Sequence, residues 1–440
     1  MGALVARGNG GQIKSDGTPA DCEGLRGDGT GMKHLHLFAA LAACTTAHGA
    51  SLEWPQFGGP HRNFTSDVKG LANSWPAAGP MKLWSRDLGD GYSGIAVDGG
   101  VLYTMYRRGT EEVTLAAATA TGKTIWERAE NAPFRSGTAM ENGPGPHATP
   151  LVTADAVYAV GILAHLVCLE KKMGKIVWSH DLWREFNGTP MDRGYSGSPV
   201  AWKYTVIVMV GGAGHALMAF NQKDGKVVWQ KQDFANSPSS PLLIKVDGQD
   251  QLVAAMGDNV VGVNPDTGDL LWRYPRSTSW HLNISMPLWT GDNTLFVSSA
   301  YNGGCVALQL HVVNGKTQVK ELWNTNRMRV HIGNLLRIGD TLYGSSGDFG
   351  PAPLTALDAK TGKVLWQDRS FAKTTFLYAD GKIIAVDEDG NLSLATLSTS
   401  GAKVLARATL LRSNAWTAPA LASGVLYLRD RHSLMALDLR

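Results

Sequence analysis

The chain has 440 residues, 44% hydrophobic and 18% charged, with 41 basic and 38 acidic residues for a net charge of +3. This composition excludes a disordered chain, and the near balance of charge gives no pull toward nucleic acid or an anionic lipid surface. Fifty-one glycines favour a protein of strands and tight turns.

Residues 1–31 are glycine-rich, without apolar periodicity, and read as an upstream extension with no structural role. Met32-Lys33-His34, the apolar run 35–43 and the small residues behind it form a secretory signal over 32–50. The run is too short to span a membrane as a helix. Two processing sites compete. Ala47-His48-Gly49 has the small-x-small form of ordinary signal cleavage, and Leu41-Ala42-Ala43-Cys44 resembles a lipobox in which Cys44 would be lipidated. Of the four cysteines, Cys168 and Cys305 lie in the mature part, in different repeats. A disulfide between them is not expected, nor is a metal site, since no zinc-ligand spacing occurs.

From residue 51 to the C-terminus the chain repeats. Gly-Lys-x-x-Trp or a close variant recurs with Trp126, Trp178, Trp229, Trp272 and Trp366, and with four extra residues before Trp323. Trp84 is a further copy at the front, and Ser400-Gly401 precedes Val404-Leu405, where the tryptophan is lost. The tryptophans stand 42 to 52 residues apart, a period that means a solenoid, a propeller or an array. Each repeat carries a Ser/Thr/Pro-rich run, a β-branched strand such as Val101-Leu102-Tyr103 or Thr341-Leu342-Tyr343, and a further strand leading into the glycine turn. Four strands per repeat, A to D, repeated eight times, predict an all-β, eight-bladed β-propeller.

The ends close the ring. The last repeat stops at Arg440 without a strand D, and an orphan strand D occupies 81–85, so the N-terminal strand is expected to complete the C-terminal blade and remove an exposed edge. Trp84, Trp126, Trp178, Trp229, Trp272, Trp323 and Trp366 read as structural docking residues packed between blades, each indole N–H bonded to a neighbouring backbone. The small residues Ala116, Cys168, Ala219, Gly262, Ala356 and Ala395 are expected to allow close approach of neighbouring blades.

Ala356-Leu357-Asp358-Ala359-Lys360-Thr361-Gly362-Lys363-Val364-Leu365-Trp366 resembles the docking motif of the pyrroloquinoline quinone (PQQ) dehydrogenases. The same repeat occurs in BamB-like propellers, and Trp54-Pro55-Gln56-Phe57-Gly58-Gly59-Pro60 resembles the start of exported PQQ-like repeat proteins. The resemblance covers 54–440 and implies the quinoprotein-like eight-bladed fold; enzymes and scaffolds share it. For the enzymes it implies PQQ over the axial channel, a calcium ion, a catalytic Asp and adjacent cysteines. This chain has no adjacent cysteines, and no calcium-binding set or catalytic residue can be placed on a matching motif.

Residues just before each strand A ring one mouth of the channel: Tyr92, His147, Tyr195, His281, His331 and Trp416, with Arg135, Arg193 and Arg329 in the preceding loops. Such a mouth suits an anionic or aromatic ligand; the alternative is a wet polar rim whose side chains bond neighbouring loops. The long loops 127–146 and 179–194 are further places for binding, with 141–147 expected over the mouth. Three functions follow. One is an exported, non-catalytic, monomeric scaffold, periplasmic or anchored at the outer membrane, that meets envelope proteins through loops or blade edges. The second is a PQQ- and calcium-dependent alcohol or sugar dehydrogenase. The third is a small-molecule or glycan sensor using the mouth.

Overall fold

The alternating β-branched and aromatic runs all form strands, and these assemble into eight antiparallel sheets in sequence order. The computed structural model describes residues 52–133 and 143–440. The signal over 32–50, both processing sites with Cys44, and Arg135 lie outside them. Blade 1 runs Ala96–Asp98, Val101–Arg108, Glu111–Ala118 and Thr124–Asn131 from strand A to strand D. Blades 2 to 6 repeat this order, ending on strands D at Ile176–Asp181, Val227–Lys231, Leu270–Pro275, Lys316–Thr325 and Val364–Asp368. Blade 7 runs from Thr374–Ala379 to Gly401–Thr409. Blade 8 holds Ala420–Ala422, Val425–Arg429 and Ser433–Asp438, and its fourth strand is Met81–Asp87 from the other end of the chain. The expected closure is therefore present.

The repeat residues have separate tasks. Each tryptophan pairs with a small residue on strand C of its own blade: Trp126 with Ala116, Trp178 with Cys168, Trp229 with Ala219, Trp272 with Gly262 and Trp366 with Ala356. One extra residue immediately before the tryptophan bulges strand D at each of these pairings. The small residues thus lie opposite their own blade's indole, and Cys168 also meets the next blade, its Sγ 3.9 Å from the Gln222 carbonyl. At Gly262 an added Cβ would lie 2.0 Å from the Trp272 Nε1.

The indole then docks on the next blade. Trp178 donates from Nε1 to the Gln222 carbonyl at 3.0 Å, and an added Cβ on Gly225 would lie 2.7 Å from the Trp178 ring. Trp84, Trp126, Trp229, Trp323 and Trp366 donate in the same way to Thr119, Lys171, Pro265, Ala359 and Ser398. Trp272 departs from the expectation and donates to the Gln251 side chain of its own blade at 2.7 Å. Its neighbour has the lengthened hairpin of Gly304–Val313 and Lys316–Thr325, whose turn residue Gly315 meets nothing within 4 Å. The side-chain acceptor replaces the missing carbonyl. Cys168 and Cys305 are buried free thiols, pushed up to about 11 and about 12 by burial.

Residues 52–72 have a task that repeat alignment does not reveal. Leu52 accepts from Ser423 of blade 8, Trp54 pairs with Val97 of blade 1, and Pro55 accepts from Val152 of blade 2. Arg62 donates to the Pro241 carbonyl beside blade 4 at 2.8 Å, and Thr65–Ser66 adds in parallel to Thr374–Ala379 of blade 7. A segment touching the innermost strands of so many blades must cross the axis. It fills the end of the channel where strands A turn into strands B, with Trp54, Phe64, Val68 and Leu71 buried in the main core. The loops before strands A lie at the other end.

Candidate functional site

Strands A begin at that other end, and the loops before them set its chemistry. On one side Tyr92 stacks on Trp416 with ring centroids 5.3 Å apart and lies 5.9 Å from the His147 ring. Asp90 is held by Arg431 through two bonds of 2.6 Å, and Trp416 donates to Glu388 at 3.2 Å. Glu388 also faces Lys373 at 3.7 Å. His147 bonds the Ser196 hydroxyl at 3.0 Å, and its desolvation drives the imidazole down to about 4, with Arg193 adding to the fall against the opposing pull of Asp90. Burial raises the Tyr92 phenol, whose hydroxyl has no well-formed hydrogen bond and has the Asn414 side chain as a polar neighbour.

Across the mouth, the Tyr301 hydroxyl and His331 Nε2 are 2.6 Å apart. Burial pushes His331 down to about 3, helped by Lys373 and Arg193. With the imidazole neutral and Nε2 accepting from the phenol, Nδ1 carries the proton, and it is buried without a partner. Arg329 faces Asp348 at 3.5 Å, and the Asp348 Oδ1 is likewise buried and unsatisfied. Arg193 acts on His147 on one side and on Tyr301 and His331 on the other.

The mouth therefore gathers Tyr92, His147, Arg193, Arg329, His331 and Trp416. Two predicted members do not belong. Tyr195 is 1% exposed and packs inside the core of blades 2 and 3, its phenol raised by burial. His281 is a surface residue, two-thirds exposed in its side chain and bonded to Asp258 at 2.6 Å. Of the loop expected over the mouth, the described part touches it: Pro146 accepts from the Tyr92 amide, and Pro144 accepts from Arg107. Glu388 and Tyr301 were not legible as site residues, since they lie outside the repeat position used to find the mouth; Lys373 and Asp90 do precede strands A, of blades 7 and 1, and add to the predicted set. Tyr301 sits in a B–C loop rather than before a strand A.

A family model for outer membrane protein assembly factor BamB matches residues 109–368 and 350–440. The chain belongs to this family. BamB of Yersinia pestis is 23% identical over 317 residues, covering 67% of this chain and 75% of that protein. Quinoprotein alcohol dehydrogenase PedH of Pseudomonas putida is 23% identical over 267 residues, covering 52% of this chain and 40% of that enzyme. The solved quinohemoprotein alcohol dehydrogenase of Comamonas testosteroni superposes with a TM-score of 0.62 at 13% identity, over 88% of this chain and 80% of that one. That likeness shows the shared propeller alone. Membership of the BamB family fixes the blade architecture and leaves open whether the mouth performs chemistry.

Proposed function

We propose that this BamB-family propeller is a non-catalytic scaffold of the cell envelope that binds assembly proteins through its open face. The observation carrying this reading is the pairing of the mouth carboxylates. Asp90 is clamped by Arg431, Glu388 accepts from Trp416 with Lys373 3.7 Å away, and Asp348 lies 3.5 Å from Arg329 through Oδ2 while its Oδ1 is shut off from solvent. A dehydrogenase of the quinone type needs an available carboxylate base and an oxygen-rich calcium site. Among the described residues no group of three or more His, Cys, Asp or Glu is placed to hold a metal ion. This favours a mouth that holds neither PQQ nor calcium. The match to three quarters of BamB against two fifths of PedH points the same way.

Affinity capture from envelope extract tests the scaffold. Reproducible recovery of outer-membrane assembly proteins at physiological salt is the expected result, and their absence across replicate extracts would overturn it. Incubation with PQQ and calcium, followed by alcohol-driven dye reduction, tests the enzyme; turnover above the uncatalysed rate would displace the scaffold reading.

A further inference from the structure

Arg62, Arg107, Arg276 and Arg429 are the arginines buried among the described residues. Three of them have an acidic group in reach. Arg107 faces Glu112 at 3.6 Å, Arg276 feels the charge of Glu321, and Arg429 feels Asp430 and Asp90. Arg62 has no such group among the described residues. Burial alone moves it, down to about 10, so it keeps its charge at neutral pH.

The Arg62 side chain points away from the closed end. Its Nη2 donates to the Pro241 carbonyl at 2.8 Å, and Pro241 stands just before Leu242–Val246, strand A of blade 4, at the mouth-side start of that strand. The guanidinium thus lies inside the ring, alongside the innermost strands. Its Nη1 donates to Gln56 Oε1 at 2.7 Å, so both acceptors are neutral, and its Nε donor is buried without a partner. The Ser285 hydroxyl is a second buried group without a partner, on the loop before Leu288–Thr290, strand A of blade 5. Ser239, two residues before Pro241, donates to the Ser285 carbonyl at 3.2 Å. Met286 beside it reaches the crossing segment: an added Cβ on Gly58 would lie 3.1 Å from the Met286 Cε and 3.0 Å from the Arg62 carbonyl carbon.

We propose that the Arg62 guanidinium holds a small inorganic anion of the halide class inside the ring. A buried charge without a counter-charge is costly, and a buried polar group without a partner calls for a water or an ion. A water satisfies the Nε donor and leaves the charge unbalanced; an anion does both. The setting selects a small one. Trp54, Phe64 and Met286 are buried apolar neighbours on the segment and the adjoining loop, and the donors on offer are the Nε–H and a hydroxyl. A phosphate or sulfate brings more acceptor oxygens than these donors can satisfy, whereas a halide needs few. The anion ties the crossing segment to blades 4 and 5, between its contacts with blades 2 and 7. This site lies outside the scaffold reading and does not depend on it.

Crystals of the full chain grown or soaked in sodium bromide test the site directly. An anomalous bromide peak in hydrogen-bonding contact with Arg62 Nε is the expected result. Thermal denaturation in sodium chloride against sodium gluconate at equal ionic strength is the solution test. With a Kd of about 10 mM, about 100 mM chloride should raise the midpoint by about 1–2 °C. Arg62→Met, which keeps an apolar stem, should abolish both that difference and the bromide peak. Bromide peaks at exposed lysines with none at Arg62, or a chloride shift of equal size in Arg62→Met, would overturn the assignment. If Arg62→Met does not fold, the bromide map of the parent protein decides alone.

Discussion

Val404→Trp restores the residue that seven other blades carry at this place on strand D. Restoring a consensus residue commonly gains about 0.5–2 kcal/mol. The structure predicts no gain here. Val404 pairs with Ala395, as the docking tryptophans pair with their small residues, but its bulge residue follows it instead of preceding it. The neighbour it would dock on is blade 8, whose strands C and D come from opposite ends of the chain. No C–D turn exists there to supply a glycine. The carbonyl equivalent to Gln222 is that of Leu439, and it already accepts the Ala72 amide at 2.7 Å. A tryptophan at 404 would therefore be an exposed indole without an acceptor, changing stability by between 0 and about 1 kcal/mol, in the destabilising direction. Trp178→Val is the counterpart. It removes the bond to Gln222, the seat on Gly225 and ring contacts with Tyr158 and Phe220, and should cost about 3–4 kcal/mol. Guanidinium denaturation followed by far-ultraviolet circular dichroism compares the two. Stabilisation of Val404→Trp by about 1 kcal/mol or more would refute the docking account.

Gly225→Ala combines a positive φ of 71° with a Cβ 2.7 Å from the Trp178 ring, and should cost about 2–4 kcal/mol by denaturation; Gly315→Ala, at φ 75° with open space around it, should cost only about 1 kcal/mol for the backbone. His147 and His331 are held neutral by burial, at about 4 and about 3, so the unfolded chain binds their protons first on acidification. The stability they support is complete above pH 6.5 and is lost as pH falls from there toward 4; about 1.4 kcal/mol for each tenfold loss of proton affinity sets an upper bound of a few kcal/mol, since both side chains retain some contact with water. His147→Gln with His331→Gln should flatten this part of a stability profile, and an unchanged acid slope would contradict the assignment. Arg62→Ala removes bonds to Pro241 and Gln56 from a buried guanidinium. Limited proteolysis should then cut within residues 54–66 faster than in the parent protein, and equal cleavage rates would deny that Arg62 anchors the segment.

Much of the ring was readable in the sequence because the repeat is encoded by local chemistry. Gly225 must supply a left-handed turn, Trp178 must fill a seat over it, and Cys168 must be small enough to lie opposite that indole; each constraint recurs at a fixed offset. The exception at Trp272 was unreadable because its acceptor, Gln251, lies 21 residues away on a different strand, outside the repeat consensus. The mouth was half readable. Its residues come from loops, and a place before strand A does not say which way a side chain faces: Tyr195 lies in the core and His281 at the surface. Residues 52–72 carry no repeat and form a single two-residue strand before residue 81, which left their crossing of the axis without a periodic signal.

That crossing segment ties the shape of the protein to its use. The same segment that closes the channel, from Leu52 to Ser66, also bridges the inner edges of blades 8, 1, 2, 4 and 7. Ala72 then takes the carbonyl that a docked tryptophan in blade 7 would have used. Loss of the tryptophan at 404 and filling of the channel are therefore two effects of one segment. The ring junction is secured by strand Met81–Asp87 and by the segment leading into it, so that interface does not need the indole. A channel closed at one end cannot pass a ligand through, so the proposed recognition belongs to the face bearing Tyr92, Trp416 and the paired carboxylates. Six of the eight blades keep a tryptophan docked on the next blade's backbone while the loops on that one face differ in length and chemistry.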